Sequence, residues 1–481
     1  MGVLTLKEII DATGGKVIYR TSEGTSFTGV SIDSRSIREG ELFIALKGER
    51  FDGHDFLMDA MGKGRGAVVS TPPVAPVRGK AVVHVKNTLK ALQDIARHVR
   101  LKRRATVIGI TGTNGKTTTK ELIASILGIQ HKVMKNSGNL NNQIGLPLSL
   151  TGMEEGDEFA VVEMGASIRG DIRELCEIAV PDYGVITNIG PGHLEGFGSL
   201  EMVRSTKLEL CDAVKVIALN ADDRFLMEGV SERTGRNKGP DMVTFGMSGT
   251  ADVYARDIEL EERRSVFTLC AGEKCVNVTM NIPGRFNVSN ALAAASVCTV
   301  LGIGLGEIKK GIESFAGVPM RLEFKELLGA TIISDVYNAN PASMEEAVKE
   351  LVRVRKDRAI AVLGDMLELG AYAEEAHRRL GRWMSGLPVD VLIAVGEMME
   401  KAAGEFSASL GKSSEPGRVV VVSNPAEARR MLLGICRKGD TILVKGSRGM
   451  KMERVLENNA GISCGSSGDT VIGMKEIGNA L

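Results

Sequence analysis

The segment between Gly109 and Lys120 constrains the fold of this chain more than any other part of the sequence. Residues 105–110 before it are apolar and rich in β-branched side chains, as expected of a buried strand. After it, apolar side chains recur at helical spacing, at Leu122, Ile123, Ile126 and Leu127. In a strand–glycine turn–helix unit, the glycines let the backbone approach a phosphate and the first N–H groups of the helix face it. We therefore predict a nucleotide-phosphate site.

The loop departs from the usual pattern at one position. Ile110 occupies the place of the first glycine, and Gly109 lies one residue earlier. We expect Lys116 to reach the β- and γ-phosphates and the Thr117 hydroxyl to hold Mg²⁺. The predicted nucleotide-binding residues of the loop are Gly112, Thr113, Asn114, Gly115, Lys116, Thr117 and Thr118.

Length and charge indicate a multidomain protein without a strongly charged surface. A chain of 481 residues is too long for a single core and suggests about three domains. The 60 basic residues equal the 60 acidic ones, so nothing indicates a nucleic-acid or anionic-membrane partner. No apolar run reaches the roughly 18 residues of a membrane span, and the N-terminus lacks a signal-peptide pattern. We expect a cytoplasmic protein without membrane insertion.

The seven cysteines show no pattern of paired spacings. Cys270 and Cys275 are the closest two, but a matching second pair is missing, which argues against a zinc knuckle. An odd number of cysteines without a disulfide framework is typical of a reducing cytosol.

Residues 1–102 are predicted to form a small α/β unit that contains one polar cluster. A strand beginning near Gly29 runs into Ser31, Asp33, Ser34 and Arg35. These residues fit a turn with an Asx motif, the simpler interpretation. They also fit a diphosphate or uracil contact, because arginine and hydroxyl groups bind phosphate oxygens.

The central region, 103–317, alternates strands and helices, which predicts a parallel sheet with crossover helices. Within it, residues 136–145 contain five carboxamides and two glycines. Such a segment is either a polar surface loop or a lining of donors and acceptors for a sugar or peptide. The candidate binding residues are Ser137, Asn139, Asn141 and Asn142.

Two further side chains follow predicted strands of this sheet. The apolar run 159–162 ends in Glu163, and open α/β sheets bind ligands at the carboxyl ends of their strands. Glu163 is therefore a candidate second metal-holding group beside Thr117. His193 lies among glycines after the strand near Tyr183. It fits a metal or phosphate contact, although a lone loop histidine fits a hydrogen-bonded surface residue equally well.

Several of these stretches together resemble the ATP-dependent Mur ligases of peptidoglycan synthesis. The segments that carry the resemblance are 109–120, 137–142, 162–167 and 188–198. Three later segments resemble the members that add D-alanyl-D-alanine, namely 335–344, 363–370 and 444–453. With Asp33–Arg35, the resemblance extends over nearly the whole chain to about residue 456.

The resemblance implies an α/β protein of three domains. These are a UDP-binding domain at 1–102, a P-loop ATPase domain at 103–317 and a Rossmann-like domain at 318–456, followed by a loose tail at 457–481. The implied reaction joins D-alanyl-D-alanine to UDP-N-acetylmuramoyl-tripeptide, with ATP and Mg²⁺, through an acyl phosphate. The alternatives are the sister ligase that adds the third amino acid and a folylpolyglutamate synthetase-like ligase. The family suggests a monomer.

The resemblance also assigns roles to individual residues. Lys207 matches a lysine that the family carbamylates, whereas by itself it would be a solvated helix lysine. Asn287 matches an adenine contact, although Phe286 stands where the family usually has histidine. Arg321 matches an arginine that reaches the ATP phosphates. Asp335 and Asn338 follow an apolar strand and suit ribose hydroxyls.

The implied catalytic set combines three cationic or imidazole groups with one carboxylate and one carbamate. Thr117 and Glu163 would hold one Mg²⁺, and His193 and carbamylated Lys207 would hold or frame a second. The full set is Lys116, Glu163, His193, Lys207 and Arg321.

Overall fold

The computed structural model describes residues 4–19, 25–48, 51–73, 79–234, 239–410 and 418–457. These residues form three main sheets, each with its own helices. The predicted tail lies outside the described residues beyond position 457. The proposed domain boundaries stay predictions, although no sheet crosses them.

The N-terminal unit has a five-stranded sheet of order β2-β7-β6-β5-β4, in which only β2 is antiparallel to its neighbour. A separate pair, β1 and β3, lies beside it. Thr5 is the N-cap of the first helix and forms a capping box with Glu8. The elements are β1 Leu4–Thr5, α1 Leu6–Thr13, β2 Lys16–Tyr19, β3 Ser26–Phe27, β4 Val30–Ser31, β5 Leu42–Ile44, α2 Leu57–Lys63, β6 Gly66–Val69, β7 Ala81–His84 and α3 Thr88–Lys102.

The central unit has a nine-stranded sheet of order β16-β15-β14-β13-β12-β11-β8-β10-β9. Its elements are β8 Thr106–Thr111, α4 Lys116–Leu127, β9 Val133–Lys135, α5 Gly145–Leu150, β10 Phe159–Glu163, α6 Asp171–Ala179, β11 Tyr183–Ile186, α7 Leu194–Phe197, α8 Leu200–Lys207, β12 Val216–Asn220, α9 Arg224–Thr234, β13 Asp241–Gly246, β14 Val253–Leu260, β15 Ser265–Ala271, β16 Lys274–Met280, α10 Arg285–Val300 and α11 Leu305–Ser314. Strand β8 lies between β10 and β11 in the sheet. The chain first builds the sheet on one side of β8, with β9 and β10, and then continues on the other side with β11 and β12. Ligands bind at such a switch point in open α/β sheets.

The central sheet differs from the all-parallel prediction at β15, which runs antiparallel to both neighbours. Cys270 of β15 lies directly opposite Cys275 of β16, with Cα atoms 4.1 Å apart, and the two form a disulfide. The expectation that the cysteines would stay unpaired is therefore wrong for these two. The reason is the hairpin register, which a count of cysteines does not reveal.

The C-terminal unit has a six-stranded sheet of order β17-β18-β22-β19-β20-β21, parallel except for β17. Apolar side chains cover both of its faces, as expected of parallel strands between helices. Its elements are β17 Glu323–Leu327, β18 Ala330–Asp335, α12 Pro341–Arg353, β19 Ala359–Gly364, α13 Ala373–Met384, β20 Val391–Val395, α14 Glu397–Leu410, β21 Val419–Val422, α15 Pro425–Ile435 and β22 Thr441–Lys445.

Helix α3 joins the N-terminal unit to the central one. Arg100 donates to the carbonyl of Ala179 at 2.9 Å and to the Asp182 carboxylate at 2.9 Å. Gln93 donates to Glu174 at 2.8 Å. One apolar core runs from the N-terminal sheet through α3 into the central sheet. Among the described residues, no helix is both long and apolar enough to cross a membrane.

Candidate active site

The predicted phosphate-binding loop joins β8 to α4 as expected. Gly112 and Gly115 have φ values of +140° and +81°, where side chains are strained. A Cβ on Gly115 would come 2.1 Å from Asn290 Oδ1, so the loop also needs glycine for space. The Lys116 ammonium donates to the carbonyls of Gly112 and Thr113 at 2.9 and 3.0 Å. Desolvation lowers the pKa of Lys116.

Thr117 and Glu163, the predicted metal-holding pair, lie next to each other. The Thr117 hydroxyl donates to Glu163 Oε2 at 2.7 Å, and Asn141 donates to Glu163 Oε1 at 2.7 Å. Asn136 fixes the backbone of Glu163, because its side chain accepts from the amide at 2.9 Å and donates to the carbonyl at 3.1 Å. Arg321 of the C-terminal unit donates to the same Thr117 hydroxyl at 2.9 Å.

The donor set fits one Mg²⁺ better than two. Thr117 and Glu163 present oxygen atoms to the cavity, and Mg²⁺ takes one or two such groups together with water and phosphate oxygens. Within the described ranges, no cluster of three or more His, Cys, Asp or Glu side chains is arranged to hold a metal. His193 and Lys207 make no hydrogen bond or ion pair with each other, so a second ion would rely on a carbamate and on bound substrate.

Lys207, at the end of α8, is buried with 3% of its surface exposed. This contradicts the interpretation of a solvated helix lysine. Its Nζ lies 5.6 Å from the centre of the Phe197 ring and makes no hydrogen bond within the part of the chain that the structure describes. Burial, reinforced by Lys116, lowers the pKa of Lys207 to about 7, although Asp171 and other nearby carboxylates act in the opposite direction. A large neutral fraction is what a lysine needs to capture CO₂.

His193 precedes α7 in a left-handed conformation, with φ +52°. Its Nδ1 lies 2.6 Å from Oε2 of Glu368, a residue of the C-terminal unit, and it lines the cavity. The hydrogen bond from His193 lowers the pKa of Glu368. The Glu195 amide also donates to the Glu368 carbonyl at 3.1 Å. His193 therefore contacts an opposing domain, a role that the sequence analysis did not foresee.

The C-terminal side of the site is built around β18 and β22. The Arg321 guanidinium lies 4.2 Å from the centre of the Tyr337 ring. The buried Lys445 ammonium pairs with Asp335 at 2.5 Å and donates to the Asn338 carbonyl at 2.9 Å. Asp335, predicted to meet ribose, thus already has a cationic partner. The Asn338 side chain accepts from the Ala339 amide at 2.9 Å.

Two asparagines that the sequence analysis left without a role connect the loop to its surroundings. Asn340, the N-cap of α12, donates to Asn114 Oδ1 at 2.7 Å across the domain gap. Asn188 accepts from the Asn114 amide at 2.9 Å. Both lie inside motifs that carried the family resemblance, so their position there was the available signal.

Phe286 and Asn287 lie at the start of α10 and line the cavity. The Asn287 side chain is buried, donates to the Pro283 carbonyl at 2.7 Å and accepts from Asn290 at 3.3 Å. Much of its hydrogen-bonding capacity is therefore used inside the protein, and Phe286 offers only a ring face.

One cavity of about 680 Å³ lies between the central and C-terminal units and brings most predicted residues together. Gly112, Ser137 and Lys207 do not line it. The predicted residues that do are Thr113, Asn114, Gly115, Lys116, Thr117, Thr118, Asn139, Asn141, Asn142, Glu163, His193, Asn287, Arg321, Asp335 and Asn338.

The polar cluster of the N-terminal unit lies outside this cavity. The Asp33 carboxylate accepts three hydrogen bonds from the Arg35 guanidinium, at 2.9 and 3.2 Å from Nε and at 2.7 Å from a terminal nitrogen, and one from the Arg35 amide. These contacts form the Asx turn of the simpler interpretation and lower the pKa of Asp33 to about 2. The Arg35 side chain is 88% exposed, Ser31 bonds to Asp33, and Ser34 lies in the same turn. This cluster faces solvent.

Family models match three successive parts of the chain. The model for the Mur ligase family catalytic domain matches residues 26–100, that for the Mur ligase middle domain matches 110–298, and that for the Mur ligase glutamate ligase domain matches 320–448.

Individual relatives are similar to this chain over nearly its whole length. The UDP-N-acetylmuramoyl-tripeptide–D-alanyl-D-alanine ligases of Bacillus subtilis and Escherichia coli are 37% and 33% identical, covering 94% of this chain and 98% and 97% of their own. A MurF crystal structure from Acinetobacter baumannii has a TM-score of 0.86 and 31% identity, covering 95% of this chain and 98% of its own. MurF of Thermotoga maritima, in complex with ADP, has a TM-score of 0.76 and 30% identity, covering 89% and 96%. The chain belongs to the Mur ligase family, in the group of UDP-N-acetylmuramoyl-tripeptide–D-alanyl-D-alanine ligases.

Proposed function

We propose that the chain is an ATP-dependent ligase that joins D-alanyl-D-alanine to UDP-N-acetylmuramoyl-tripeptide in peptidoglycan synthesis. The observation that carries the proposal is the meeting of Lys116, Thr117 and Glu163 with Arg321 from the opposing domain. A phosphate-binding loop that an arginine of a second domain completes suits phosphoryl transfer inside a closed cleft.

The chemistry explains why ATP is needed. A carboxylate is a poor electrophile, so the terminal carboxylate of the tripeptide first attacks the γ-phosphorus of ATP. The bond from that phosphorus to the β-phosphate oxygen breaks, ADP leaves, and an acyl phosphate forms. The dipeptide amine then attacks the acyl carbon, phosphate leaves with the bonding electrons, and the amine loses a proton. The products are the amide, ADP and phosphate.

The first step brings two anions together, so positioning and charge neutralisation dominate its catalysis. Lys116 would leave the loop carbonyls for the β- and γ-phosphates, and Arg321 would turn from Thr117 to the transferred group. When bound, Mg²⁺ neutralises phosphate charge and orients oxygens. Thr117 and Glu163 would hold one ion, and His193 with carbamylated Lys207 would hold or frame a second that also takes oxygens from bound substrate.

The remaining assignments complete the proposal. Ser31, Asp33, Ser34 and Arg35 would bind the UDP part of the substrate, and the predicted nucleotide contacts Asn287, Asp335 and Asn338 would meet ATP. We propose that the enzyme is a cytoplasmic monomer. The peptide part would meet the residues Ser137, Asn139, Asn141 and Asn142.

The purified protein, given UDP-N-acetylmuramoyl-tripeptide, ATP and Mg²⁺, tests the proposal when parallel reactions contain D-alanyl-D-alanine, diaminopimelate, lysine or glutamate. We expect phosphate release and a new amide with D-alanyl-D-alanine alone. Parallel reactions on the corresponding dipeptide precursor identify a sister ligase if diaminopimelate or lysine is used there. Release of phosphate with glutamate when a folate replaces the UDP-tripeptide would instead favour a folylpolyglutamate synthetase-like activity.

A further inference from the structure

Within the described residues, the cavity is lined by four lysine or arginine side chains, namely Lys116, Arg321, Lys445 and Arg448. Three of them already bond to the phosphate-binding loop or to a residue predicted to contact the nucleotide. Lys116 bonds to its own loop, and Arg321 bonds to Thr117. Lys445 is 2% exposed and pairs with Asp335. Among these four, only Arg448 has no described partner in the phosphate-binding loop or among the residues predicted to contact the nucleotide.

Arg448 lies on a short 3₁₀ turn that follows β22. Its side chain is 56% exposed, and one terminal nitrogen donates to Glu453 Oε1 at 3.0 Å. The other Glu453 oxygen is buried without a hydrogen bond, so the pair is not bidentate. A guanidinium carries five N–H donors, so Glu453 steadies the group and leaves most of its donors for a ligand.

The position of Arg448 connects it to the reaction centre. It lines the same cavity as Tyr337, whose ring centre lies 4.2 Å from the Arg321 guanidinium beside the phosphate-binding loop. A dipeptide spans roughly 7 Å, so its amine can lie at the reaction centre while its carboxylate is one residue away.

We propose that Arg448 binds the terminal carboxylate of the incoming dipeptide. This inference rests on the proposed function. The acceptor is a zwitterion whose amine must react, so its carboxylate enters a closed cleft and needs a cationic partner there. Arginine can hold a carboxylate through two parallel N–H···O bonds, which fixes orientation as well as affinity. The residue selects acceptors with a free terminal carboxylate.

The test compares D-alanyl-D-alanine with its C-terminal amide as acceptors for the wild-type enzyme and for Arg448→Met. We expect the wild type to prefer the free acid by roughly 10- to 100-fold in kcat/KM, the range of a charge-assisted hydrogen bond. Arg448→Met should lose most of this preference by losing activity on the acid, while KM for ATP and for the UDP-tripeptide stays within about 2-fold.

Two control variants separate the role of Arg448 from that of nearby charge. Glu453→Gln retains the guanidinium and should keep the preference for the acid. Arg454→Met removes an exposed cation on the next turn that does not line the cavity, and should behave as wild type. Arg448→Gln repeats the comparison if Arg448→Met does not fold.

An Arg448→Met or Arg448→Gln enzyme that keeps the wild-type preference for the acid would overturn the inference. Failure of the proposed function looks different, because the wild type would then ligate neither the acid nor the amide.

Discussion

Lys207 lies in surroundings that oppose its charge. It is buried beside the Phe197 ring, and the neighbouring Thr206 hydroxyl is buried without a hydrogen bond. Proteins rarely bury a lysine unless its ammonium is paired, because the charged form loses its hydration. A carbamate would turn this unfavourable ammonium into an anion with two oxygens, which suits Mg²⁺.

We expect Lys207→Ala to be nearly inactive and small carboxylates such as acetate to restore part of its activity, because they can occupy the space of the carbamate. Lys207→Arg, which is positive and cannot carbamylate, should stay inactive with or without them. Ligation rates with and without acetate measure both effects. Near-normal turnover of Lys207→Arg in CO₂-depleted buffer would contradict the carbamate.

The same residue should limit stability in a pH-dependent way. The pKa of Lys207 falls from 10.5 to about 7 on folding, so between these values the unfolded chain binds more protons. Lys207 therefore lowers the free energy of unfolding by its full amount below about pH 7, and this effect disappears as the pH rises towards 10.5. In CO₂-free buffer without nucleotide, Lys207→Met should raise the free energy of unfolding by a few kcal/mol near pH 6, since one pKa unit is about 1.4 kcal/mol.

Urea unfolding near pH 6 and near pH 9 measures this difference, which should shrink at the higher pH. An equal gain at both pH values would mean that packing, and not charge burial, explains the effect.

At the scale of elements, the sequence predicted what depends on local pattern. The strand–turn–helix unit and the carboxylate at the end of β10 are both found as expected. Each follows from residues close together in the chain, whose backbone conformation is set by glycine, capping groups or apolar spacing.

The contacts that the sequence could not predict depend on tertiary arrangement, even where the two residues are close together in the chain. The Cys270–Cys275 pair depends on hairpin register, and the pairing of His193 with Glu368 depends on how two domains meet. Glu368 itself has a φ of +62°, which nothing in its local sequence requires. The roles given to His193, Lys207 and Asn287 came from the family resemblance, since the residues alone left His193 undecided and indicated a solvated position for Lys207.

At the scale of the whole molecule, three side-chain contacts within the described residues join cavity-lining residues of the central and C-terminal units. They are Arg321 with Thr117, Asn340 with Asn114, and Glu368 with His193. Each contact involves a residue of, or beside, the predicted catalytic set, so domain position and site assembly are coupled. The cluster that we propose binds UDP belongs to a third unit, and none of its residues lines this cavity.

This separation predicts that binding and catalysis can be removed independently. Lys116→Ala deletes a charge needed at the phosphates and should lower ligation by at least about 100-fold, while UDP-peptide binding, measured by calorimetry, stays largely intact.

Arg35→Ala should raise KM for the UDP-peptide much more than KM for ATP, because it removes binding that ground state and transition state share. Lys63→Ala, an exposed neighbour whose ammonium donates to the Arg35 carbonyl at 3.3 Å, serves as the control for general disturbance of that surface. If Lys116→Ala lost peptide binding as well, or if Arg35→Ala acted selectively on ATP, the assignment of UDP binding to residues 1–102 would be wrong.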